Sequence, residues 1–216
     1  MNLTEELQNY RNQFLTKVSE EVRATMSQAT QDLASSGIAG STLKVGDKIP
    51  EFSLPNATGK RVDLQKLLQL GPVVISFYRG KWCPYCNLEL RAFQKKLPEI
   101  QALGASLVAI SPQTPDNSLS TVEKNELSFE VLSDVGNQVA RQFGLIFTLP
   151  KELRPIYETF GIDLPAHNGD KKFELPIAAS YVIAPDGTIV LSFVNADYTQ
   201  RLEPQEVLKT LQKMNN

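Results

Sequence analysis

The arrangement that most restricts the fold of this chain is a buried strand that ends a few residues before a helix opened by two cysteines. Residues 73–78 (VVISFY) are β-branched and aromatic, as in a buried strand. From Pro84 the apolar positions step by three and four, which indicates a helix, and residues 106–111 (SLVAIS) follow as another strand. A strand, a helix and a strand in this order form a βαβ unit with a right-handed crossover, so the sequence predicts an α/β fold.

The alternation of strands and helices continues along the rest of the chain. In chain order the patterns predict a short hairpin or meander at 49–64, a helix near 120–127, a strand at 129–134, a helix at 137–144, an irregular stretch containing three prolines, a hairpin at 180–194, and a final helix from Pro204.

The N-terminal segment has a different pattern. Residues 1–36 contain neither Gly nor Pro, and their apolar positions recur every three or four residues. This spacing predicts one long amphipathic helix, about 50 Å in length, that Asn2 and Glu5 cap at its start. We therefore divide the chain into an N-terminal helical arm, residues 1–40, and a domain, residues 41–216. The apolar stripe needs a partner surface, which is either the chain's own domain or a second copy in a homodimer. A membrane surface is disfavoured because the segment has five acidic residues against three basic ones.

The composition excludes several classes of function. A formal net charge of −2 over 216 residues gives no field that attracts nucleic acid or an anionic membrane. The best apolar run has the length of a strand rather than the roughly 18 residues of a membrane span, and the N-terminus lacks the pattern of a signal peptide. These features predict a cytoplasmic protein that binds neither nucleic acid nor membrane.

Cysteine occurs only twice, at Cys83 and Cys86, so the thiols form a single CxxC motif and no disulfide framework. Cys83 lies where the helix starts, and the free N–H groups and the helix dipole there favour a thiolate. Lowering a thiol pKa from about 8.5 to about 6 raises its ionised fraction at pH 7 from roughly 3% to roughly 90%. Residues 79–96 also carry five basic side chains against one acidic one, which favours the same charge. Cys83 is therefore the predicted nucleophile.

Cys86 lies one helical turn later, on the apolar face, and is predicted to be buried and weakly ionised. The two thiols then divide the work: Cys83 attacks, and Cys86 attacks the resulting mixed disulfide or sulfenic acid to close an intramolecular disulfide. Zinc is disfavoured because it needs four ligands and His167 is the only histidine in the chain. A passive disulfide or two unreactive core thiols is the other alternative. We predict no metal site and no cofactor.

The segment around the two cysteines, WCPYC, resembles the active site of thioredoxins and glutaredoxins. A wider stretch, from VGDKIPEFSL through VVISFYRGKWCPYC to SYVIAPDGTIV, resembles the peroxiredoxin-like branch of the alkyl hydroperoxide reductase and thiol-specific antioxidant family over roughly residues 44–195. The resemblance implies a thioredoxin fold, with a central mixed β-sheet flanked by helices, and reduction of hydrogen peroxide or organic hydroperoxides. It also implies that Cys83 is the peroxidatic thiol, that Cys86 is the candidate resolving thiol, and that thioredoxin or glutathione is the electron donor.

The chain departs from this family pattern at three places. Typical peroxiredoxins have a threonine that positions the peroxide three residues before the peroxidatic cysteine, where this chain has Gly80, and a proline seven residues before it, where this chain has Ser76. A distant arginine of the pattern is replaced by alanines, at 178 and 179. Arg79 is the candidate replacement, because a guanidinium close to Cys83 stabilises a thiolate and hydrogen-bonds a peroxide oxygen. The alternative for Arg79 is a surface salt bridge.

Other side chains near the motif have two interpretations each. Trp82 is similar to the thioredoxin tryptophan that shields the disulfide and offers a flat surface to a partner, or it is a partly buried packing residue. Pro176 lies near the place where thioredoxin-like proteins have a cis-proline, or it is a loop proline. His167 is predicted to lie in a solvated loop, with a general-base role as the alternative. For Arg141, Arg154 and Tyr157 a packing or solubility role is predicted, and the alternative is that they enter the site from the irregular stretch.

Three functions are consistent with the sequence. The first, which we predict, is a thiol peroxidase that works through Cys83 and Cys86. The second is a disulfide oxidoreductase that acts on protein or glutathione disulfides, and the missing threonine favours it. The third is a redox-sensing dimer in which oxidation of the cysteine pair changes how the N-terminal helix binds a partner.

Overall fold

The computed structural model describes residues 2–215. In chain order the strands are β1 (Ser53–Pro55), β2 (Arg61–Asp63), β3 (Val73–Phe77), β4 (Ser106–Ser111), β5 (Glu130–Ser133), β6 (Ile146–Thr148), β7 (Glu174–Pro176), β8 (Ala178–Ile183) and β9 (Ile189–Asn195). The helices are α1 (Leu3–Lys17), α2 (Glu20–Ser35), α3 (Leu64–Leu68), α4 (Pro84–Ala102), α5 (Pro115–Asn125), α6 (Gln138–Gln142), α7 (Arg154–Thr159), α8 (Leu164–Asn168) and α9 (Pro204–Met214), with single 3-10 turns at Ile38–Ser41 and Lys151–Leu153. Within these residues no helix has the length and apolar content needed to cross a bilayer.

Five strands form the central sheet, in the order β5–β4–β3–β8–β9. β3 pairs in parallel with β4, and β4 pairs in parallel with β5, whereas β8 runs antiparallel to both β3 and β9. The parallel half contains the predicted βαβ unit, in which α4 connects β3 to β4. The antiparallel half contains the predicted C-terminal hairpin, so the prediction of a mixed sheet flanked by helices is confirmed.

The side chains of β3 alternate between two cores, one on each face of the sheet. Val74 belongs to the core that contains the apolar faces of α4 and α9, whereas Val73, Ile75 and Phe77 belong to the core on the opposite face. All residues of β3 are buried. The end of this central strand and the start of α4 therefore meet at the carboxyl edge of the sheet, which is where the CxxC motif lies.

The N-terminal segment differs from the prediction, because it forms two helices rather than one. α1 ends at Lys17, Val18 is extended (φ −114°, ψ 150°), and Ser19 caps α2 by accepting a hydrogen bond from the N–H of Val22. A serine followed by two glutamates is a strong local signal for a helix start, and it overrides the continuous apolar spacing. The predicted capping box at the start of α1 is present.

The break at Val18 allows both helices, here called the N-terminal helix pair, to pack on the rest of the chain. Leu3 and Leu7 of α1 are buried in the same core as α4. On α2, Met26 and Leu33 pack against buried clusters of the domain. The apolar stripe thus covers the chain's own domain, which is one of the two partner surfaces that the sequence left open. The division of the chain at residue 40 stays a prediction.

The stretch predicted to be irregular is instead built from short elements. β6 and β7 pair antiparallel, and α7 and α8 lie between them in sequence. Tyr157 of α7 belongs to a small cluster of buried side chains that holds these elements together, with Leu149, Leu153, Leu164 and Leu175. Pro176 is the last residue of β7 and follows a trans peptide bond, so the cis-proline interpretation is wrong.

Candidate active site

The two cysteines lie where β3 ends and α4 begins, as predicted. Cys83 is the N-cap residue of the 19-residue helix α4, which has a proline in its first turn. The preceding loop is fixed by hydrogen bonds. The Cys83 N–H donates to the Gly80 carbonyl (3.0 Å), and the side chains of Asn87 and Gln113 bind the backbone of Lys81 (2.8 and 2.9 Å). The chain thus holds Cys83 at the positive end of a helix.

Both thiols are free and sealed from solvent, with an exposed fraction of 0% for each side chain. The buried position of Cys86 was predicted and is confirmed. Cys83 is equally buried, which its place at a helix start did not indicate. Because burial opposes ionisation of a thiol, a negative charge on Cys83 depends on the groups around it.

Arg79 lies beside Cys83 and not at the surface. Its Nη2 is 3.7 Å from Cys83 Sγ, its Nη1 donates to the Tyr157 hydroxyl (3.0 Å), and its exposed fraction is 6%. No carboxylate within residues 2–215 forms an ion pair with it. The surface salt-bridge interpretation of Arg79 is therefore wrong, and the geometry offers Cys83 as its anionic partner.

The pKa values of the two thiols move in opposite directions. Burial is the largest influence on the pKa of Cys83 and raises it, but four attractions outweigh it. A hydrogen bond from the Cys86 thiol, the charges of Arg79 and Arg201, and the Cys86 backbone amide together hold the pKa of Cys83 well below its ordinary value. The pKa of Cys86 is raised well above its ordinary value, first by burial and then by its hydrogen bond to Cys83 and the charge there. These surroundings favour a negative charge on Cys83 over one on Cys86, and the assignment of Cys83 as the nucleophile stays a prediction.

On the other side of the pair, Arg201 binds Cys86. Its Nη2 is 3.3 Å from Cys86 Sγ, and its Nε donates to Glu89 at 2.7 Å in an ion pair whose side chains are 0% and 1% exposed. Glu89 also accepts a hydrogen bond from the Ser180 hydroxyl (3.0 Å). Burial raises the pKa of Glu89 to about 7, although the charge of Arg201 lowers it. Cys86 is thus hydrogen-bonded to an arginine whose positive charge is balanced by the buried carboxylate of Glu89.

Sequence reasoning missed both members of this ion pair. Arg201 is 115 positions away from Cys86, so no local motif connects them. Glu89 gave a weak signal, because it is the one acidic residue of the basic stretch 79–96 and lies three residues after Cys86, on the same face of α4.

Three aromatic rings surround the Arg79 guanidinium. Its central carbon is 4.2 Å from the ring centre of Tyr198, 4.9 Å from that of Trp82 and 6.0 Å from that of Tyr157. Such cation–π contacts stabilise a guanidinium that has no carboxylate partner, most of all where water is excluded. Tyr157 contacts Arg79, which is the alternative that the sequence left open beside packing or solubility, and Tyr198 was not identified from the sequence.

Two cavities reach the Arg79 side of the site. One, of about 230 Å³, is lined by Arg79 and Tyr198 together with apolar side chains of α2. The other, of about 400 Å³, is lined by Arg79 and Trp82 together with Tyr10 and Phe14 of α1. The N-terminal helix pair therefore forms part of the wall of both cavities.

The Trp82 side chain packs directly against the Cα of Gly80. A Cβ placed on Gly80 (φ +155°) would lie 2.4 Å from Trp82 Nε1, which is far inside contact distance. The indole thus fills the volume that a side chain at position 80 would need. Both interpretations of Trp82, as a shield of the site and as a packing residue, fit this half-buried position.

The remaining candidates lie away from the cysteines. His167 is in α8, where its ring contacts Asn117 (3.3 Å). Arg141 pairs with Glu174 (2.7 Å), and Arg154 stacks on an aromatic ring. Within residues 2–215 no group of three or more His, Cys, Asp or Glu side chains is placed to hold a metal ion. The other departures from the family pattern are buried strand residues, namely Ser76, Ala178 and Ala179.

Comparison with known proteins identifies the family. A model of the AhpC/TSA family matches residues 45–192. The chain belongs to the AhpC/TSA family. The chain is 34% identical to the peroxiredoxin Bcp of Escherichia coli over 103 residues. This match spans 48% of this chain and 65% of that protein. The chain is also 29% identical to the chloroplastic peroxiredoxin Q of Gentiana triflora over 167 residues. That match spans 77% of this chain and 66% of that protein. The crystal structure of the peroxidoxin BcpB from Mycobacterium tuberculosis is similar to this chain with a TM-score of 0.64 and 25% identity, over 81% of this chain and 99% of that one.

These comparisons confirm the predicted AhpC/TSA family, its thioredoxin-type fold and the peroxiredoxin class of thiol-dependent peroxidases. The segment matched to the family contains both cysteines, Arg79 and Trp82. Arg201 and the N-terminal helix pair lie outside it. Part of the active-site wall of this AhpC/TSA protein is therefore built from sequence that the family model does not include.

Proposed function

We propose that this AhpC/TSA protein reduces hydrogen peroxide or an organic hydroperoxide with Cys83 as the attacking thiolate and Cys86 as the resolving thiol. The observation that carries the proposal is that the two cysteines face arginines in different states of charge pairing. Arg79, without a carboxylate partner, faces Cys83, whereas Arg201, already paired with Glu89, faces Cys86. A thiolate beside an uncompensated guanidinium is the arrangement that peroxide attack needs.

In the first step the Cys83 thiolate attacks the terminal oxygen of the hydroperoxide. An S–O bond forms, the O–O bond breaks, and Cys83 becomes a sulfenic acid. The leaving alkoxide, or hydroxide when the substrate is hydrogen peroxide, takes a proton from water. Arg79 stabilises the thiolate before the attack and the oxygen that gains negative charge during it, which makes Arg79 a catalytic residue of the proposed reaction.

In the second step Cys86 attacks the sulfur of the sulfenic acid. The sulfenic acid is neutral, so the charge on Cys83 that raised the pKa of Cys86 is gone, while Arg201 still favours a Cys86 thiolate. An S–S bond forms, hydroxide leaves, and the proton from Cys86 converts it to water. One hydroperoxide and two thiols thus give one disulfide, one alcohol and one water.

A thiol donor returns the disulfide to two thiols, and we propose thioredoxin or glutathione for this role. Both act in compartments that keep thiols reduced, such as the cytoplasm, where we place the protein. A homodimer through the N-terminal helices has weaker support than the sequence indicated, because Leu3 and Leu7 are already buried in their own chain.

The test is peroxide-dependent consumption of thioredoxin or glutathione reducing equivalents by the full chain and by two variants. The unchanged protein is expected to turn over. Cys83→Ser is expected to lose all turnover, and Cys86→Ser to react once and leave a sulfenic acid that dimedone traps. Turnover that survives in Cys83→Ser, or oxidation no faster than that of a free thiol of equally low pKa, overturns the proposal.

The same preparations separate the two other functions. Reduction of insulin disulfides at a useful rate without peroxide consumption supports the disulfide oxidoreductase. A change of elution volume on oxidation, with neither activity, supports the redox-sensing dimer.

A further inference from the structure

Two buried hydrogen-bond donors beside Cys83 have no acceptor. Within residues 2–215, neither Arg79 Nε nor Trp82 Nε1 has a hydrogen-bond partner, and neither atom is accessible to water. Buried N–H groups of folded proteins are nearly always paired, because an unpaired one destabilises the fold. Two unpaired donors on residues that contact each other beside a thiolate indicate that a ligand supplies the missing acceptor.

The position of the indole N–H is set by Gly80. Trp82 Nε1 lies 2.4 Å from the point where a Cβ on residue 80 would be, so only glycine leaves room for it there. The Arg79 guanidinium carbon is 4.9 Å from the Trp82 ring centre, and Arg79 Nη2 is 3.7 Å from Cys83 Sγ. The indole therefore occupies the volume of a side chain three residues before the thiolate, in contact with the arginine that faces the sulfur.

We propose that the Trp82 indole N–H is a catalytic hydrogen-bond donor to the bound hydroperoxide group, in the place of a hydroxyl side chain at position 80. This inference rests on the function proposed above and adds a residue to it. The N–H donates to the oxygen that becomes negative as the O–O bond breaks, and the proton stays on the nitrogen. Arg79 Nε is the second donor to the same group. Trp82 thereby takes the part of the threonine that this chain lacks.

The cavities support this assignment. Trp82 and Arg79 together line the cavity of about 400 Å³, which Tyr10 and Phe14 of α1 also line. The two side chains that carry the unpaired donors are therefore shared between this cavity and the surroundings of Cys83. The hydrogen bond of Arg79 to the Tyr157 hydroxyl is made by Nη1 and not by Nε, so it does not pair either of these two N–H groups.

The chain contains a single tryptophan, which permits a test at one atom. Trp82→Phe removes the N–H and keeps an aromatic ring. Replacing tryptophan biosynthetically with benzothienylalanine exchanges the same N–H for a sulfur and keeps both rings. For each protein three quantities are measured: the rate constant of Cys83 oxidation by cumene hydroperoxide and by hydrogen peroxide, the rate constant of Cys83 alkylation by iodoacetamide, and the pKa of Cys83 from thiolate absorbance at 240 nm.

We expect both replacements to slow oxidation by both peroxides about tenfold, with alkylation changed less than twofold and the pKa of Cys83 unchanged. Alkylation needs the same thiolate and the same access but no donor to a leaving oxygen, so a merely structural role of Trp82 changes both rates alike. Equal changes in oxidation and alkylation, or no change in oxidation, overturn the inference and leave the peroxidase proposal intact. If the unmodified protein consumes neither peroxide, the peroxidase proposal itself fails.

Discussion

The two cysteines have opposite surroundings, although only two residues lie between them in sequence. The Cys83 half contains Arg79 inside a ring of aromatic side chains and next to two cavities, and none of the described carboxylates forms an ion pair with Arg79. The Cys86 half contains Arg201, whose side chain is buried and paired with Glu89, and which lines a different cavity, of about 340 Å³, together with residues of α1. Each thiol faces one guanidinium, so proximity to a positive charge does not distinguish them.

In the proposed mechanism, the two sulfurs are therefore distinguished by their mutual hydrogen bond and by whether the facing guanidinium already has a carboxylate partner, and not by the nearness of a positive charge alone. A guanidinium that already has a carboxylate partner gives less to a neighbouring thiol than one that has none. We therefore propose that the Cys83 half serves reactivity and that the Cys86 half holds a protonated thiol in place. Substitutions of the two arginines are expected to separate these properties.

The largest effect is expected from Arg201→Met, on stability. The substitution leaves Glu89 buried without a cation, which typically costs about 3–5 kcal/mol of unfolding free energy. The pKa of Glu89 is already raised to about 7 and rises further in the variant. A carboxyl whose pKa is higher in the folded than in the unfolded state loses stability as pH rises, so the deficit should be larger at pH 8 than at pH 6. Urea unfolding of the reduced proteins at both pH values measures it.

The control for this variant is the double substitution Glu89→Gln and Arg201→Met. It removes the unpaired carboxylate, so the double variant should be more stable than Arg201→Met at pH 8 and close to it at pH 6. An equal deficit of Arg201→Met at both pH values contradicts the charged, compensated ion pair on the Cys86 side.

Arg79→Met should act on rate rather than on stability. The pKa of Cys83 is held well below its ordinary value partly by Arg79, so the oxidation rate constant of the unchanged protein should change less with pH between pH 6 and pH 8 than that of Arg79→Met. Without the guanidinium the pKa of Cys83 rises, and the rate constant should increase with pH across the same range. At pH 7 we expect a loss of about 100-fold, from a smaller thiolate fraction and a missing donor to the leaving oxygen.

Arg79→Lys is the matched control, because it keeps the charge and loses the planar fork. It should fall between the unchanged protein and Arg79→Met. A flat pH profile in Arg79→Met, together with a rate constant within threefold of the unchanged protein, contradicts the assignment of Arg79 to the thiolate.

The Cys83 half could be predicted from sequence because its parts are local. The strand end, the helix start, Arg79, Trp82 and both cysteines lie within ten positions, and the start of the helix alone indicates where a thiolate is stable. The central sheet could be predicted for a similar reason, since β-branched runs and turn residues mark its strands directly. The break between α1 and α2 was also local, at Ser19, but the longer apolar periodicity concealed it.

The Cys86 half could not be predicted, because its parts meet only in the folded chain. Arg201 comes from the segment after β9, and Ser180 comes from β8. Tyr157 and Tyr198 reach Arg79 from two further segments that show no chemical motif. Spacing in sequence carries no information about such contacts, which depend on how α7 and the segment before α9 pack around the sheet edge.

The smallest effect is expected from Tyr157→Phe, which tests how firmly Arg79 is held toward Cys83. The substitution keeps the ring over the guanidinium and removes the hydroxyl that accepts from Arg79 Nη1 at 3.0 Å. A hydrogen bond of this kind contributes about 0.5–1.5 kcal/mol, so oxidation of Cys83 should slow by about two- to tenfold at pH 7.

Tyr198→Phe is the matched control, since the Tyr198 ring lies nearer the guanidinium but its contact with Arg79 is through the ring face. Stopped-flow peroxide kinetics of both variants measure the difference. Equal slowing in the two variants means that the rings alone orient Arg79 and that the Tyr157 hydroxyl adds nothing to the Cys83 side of the pair.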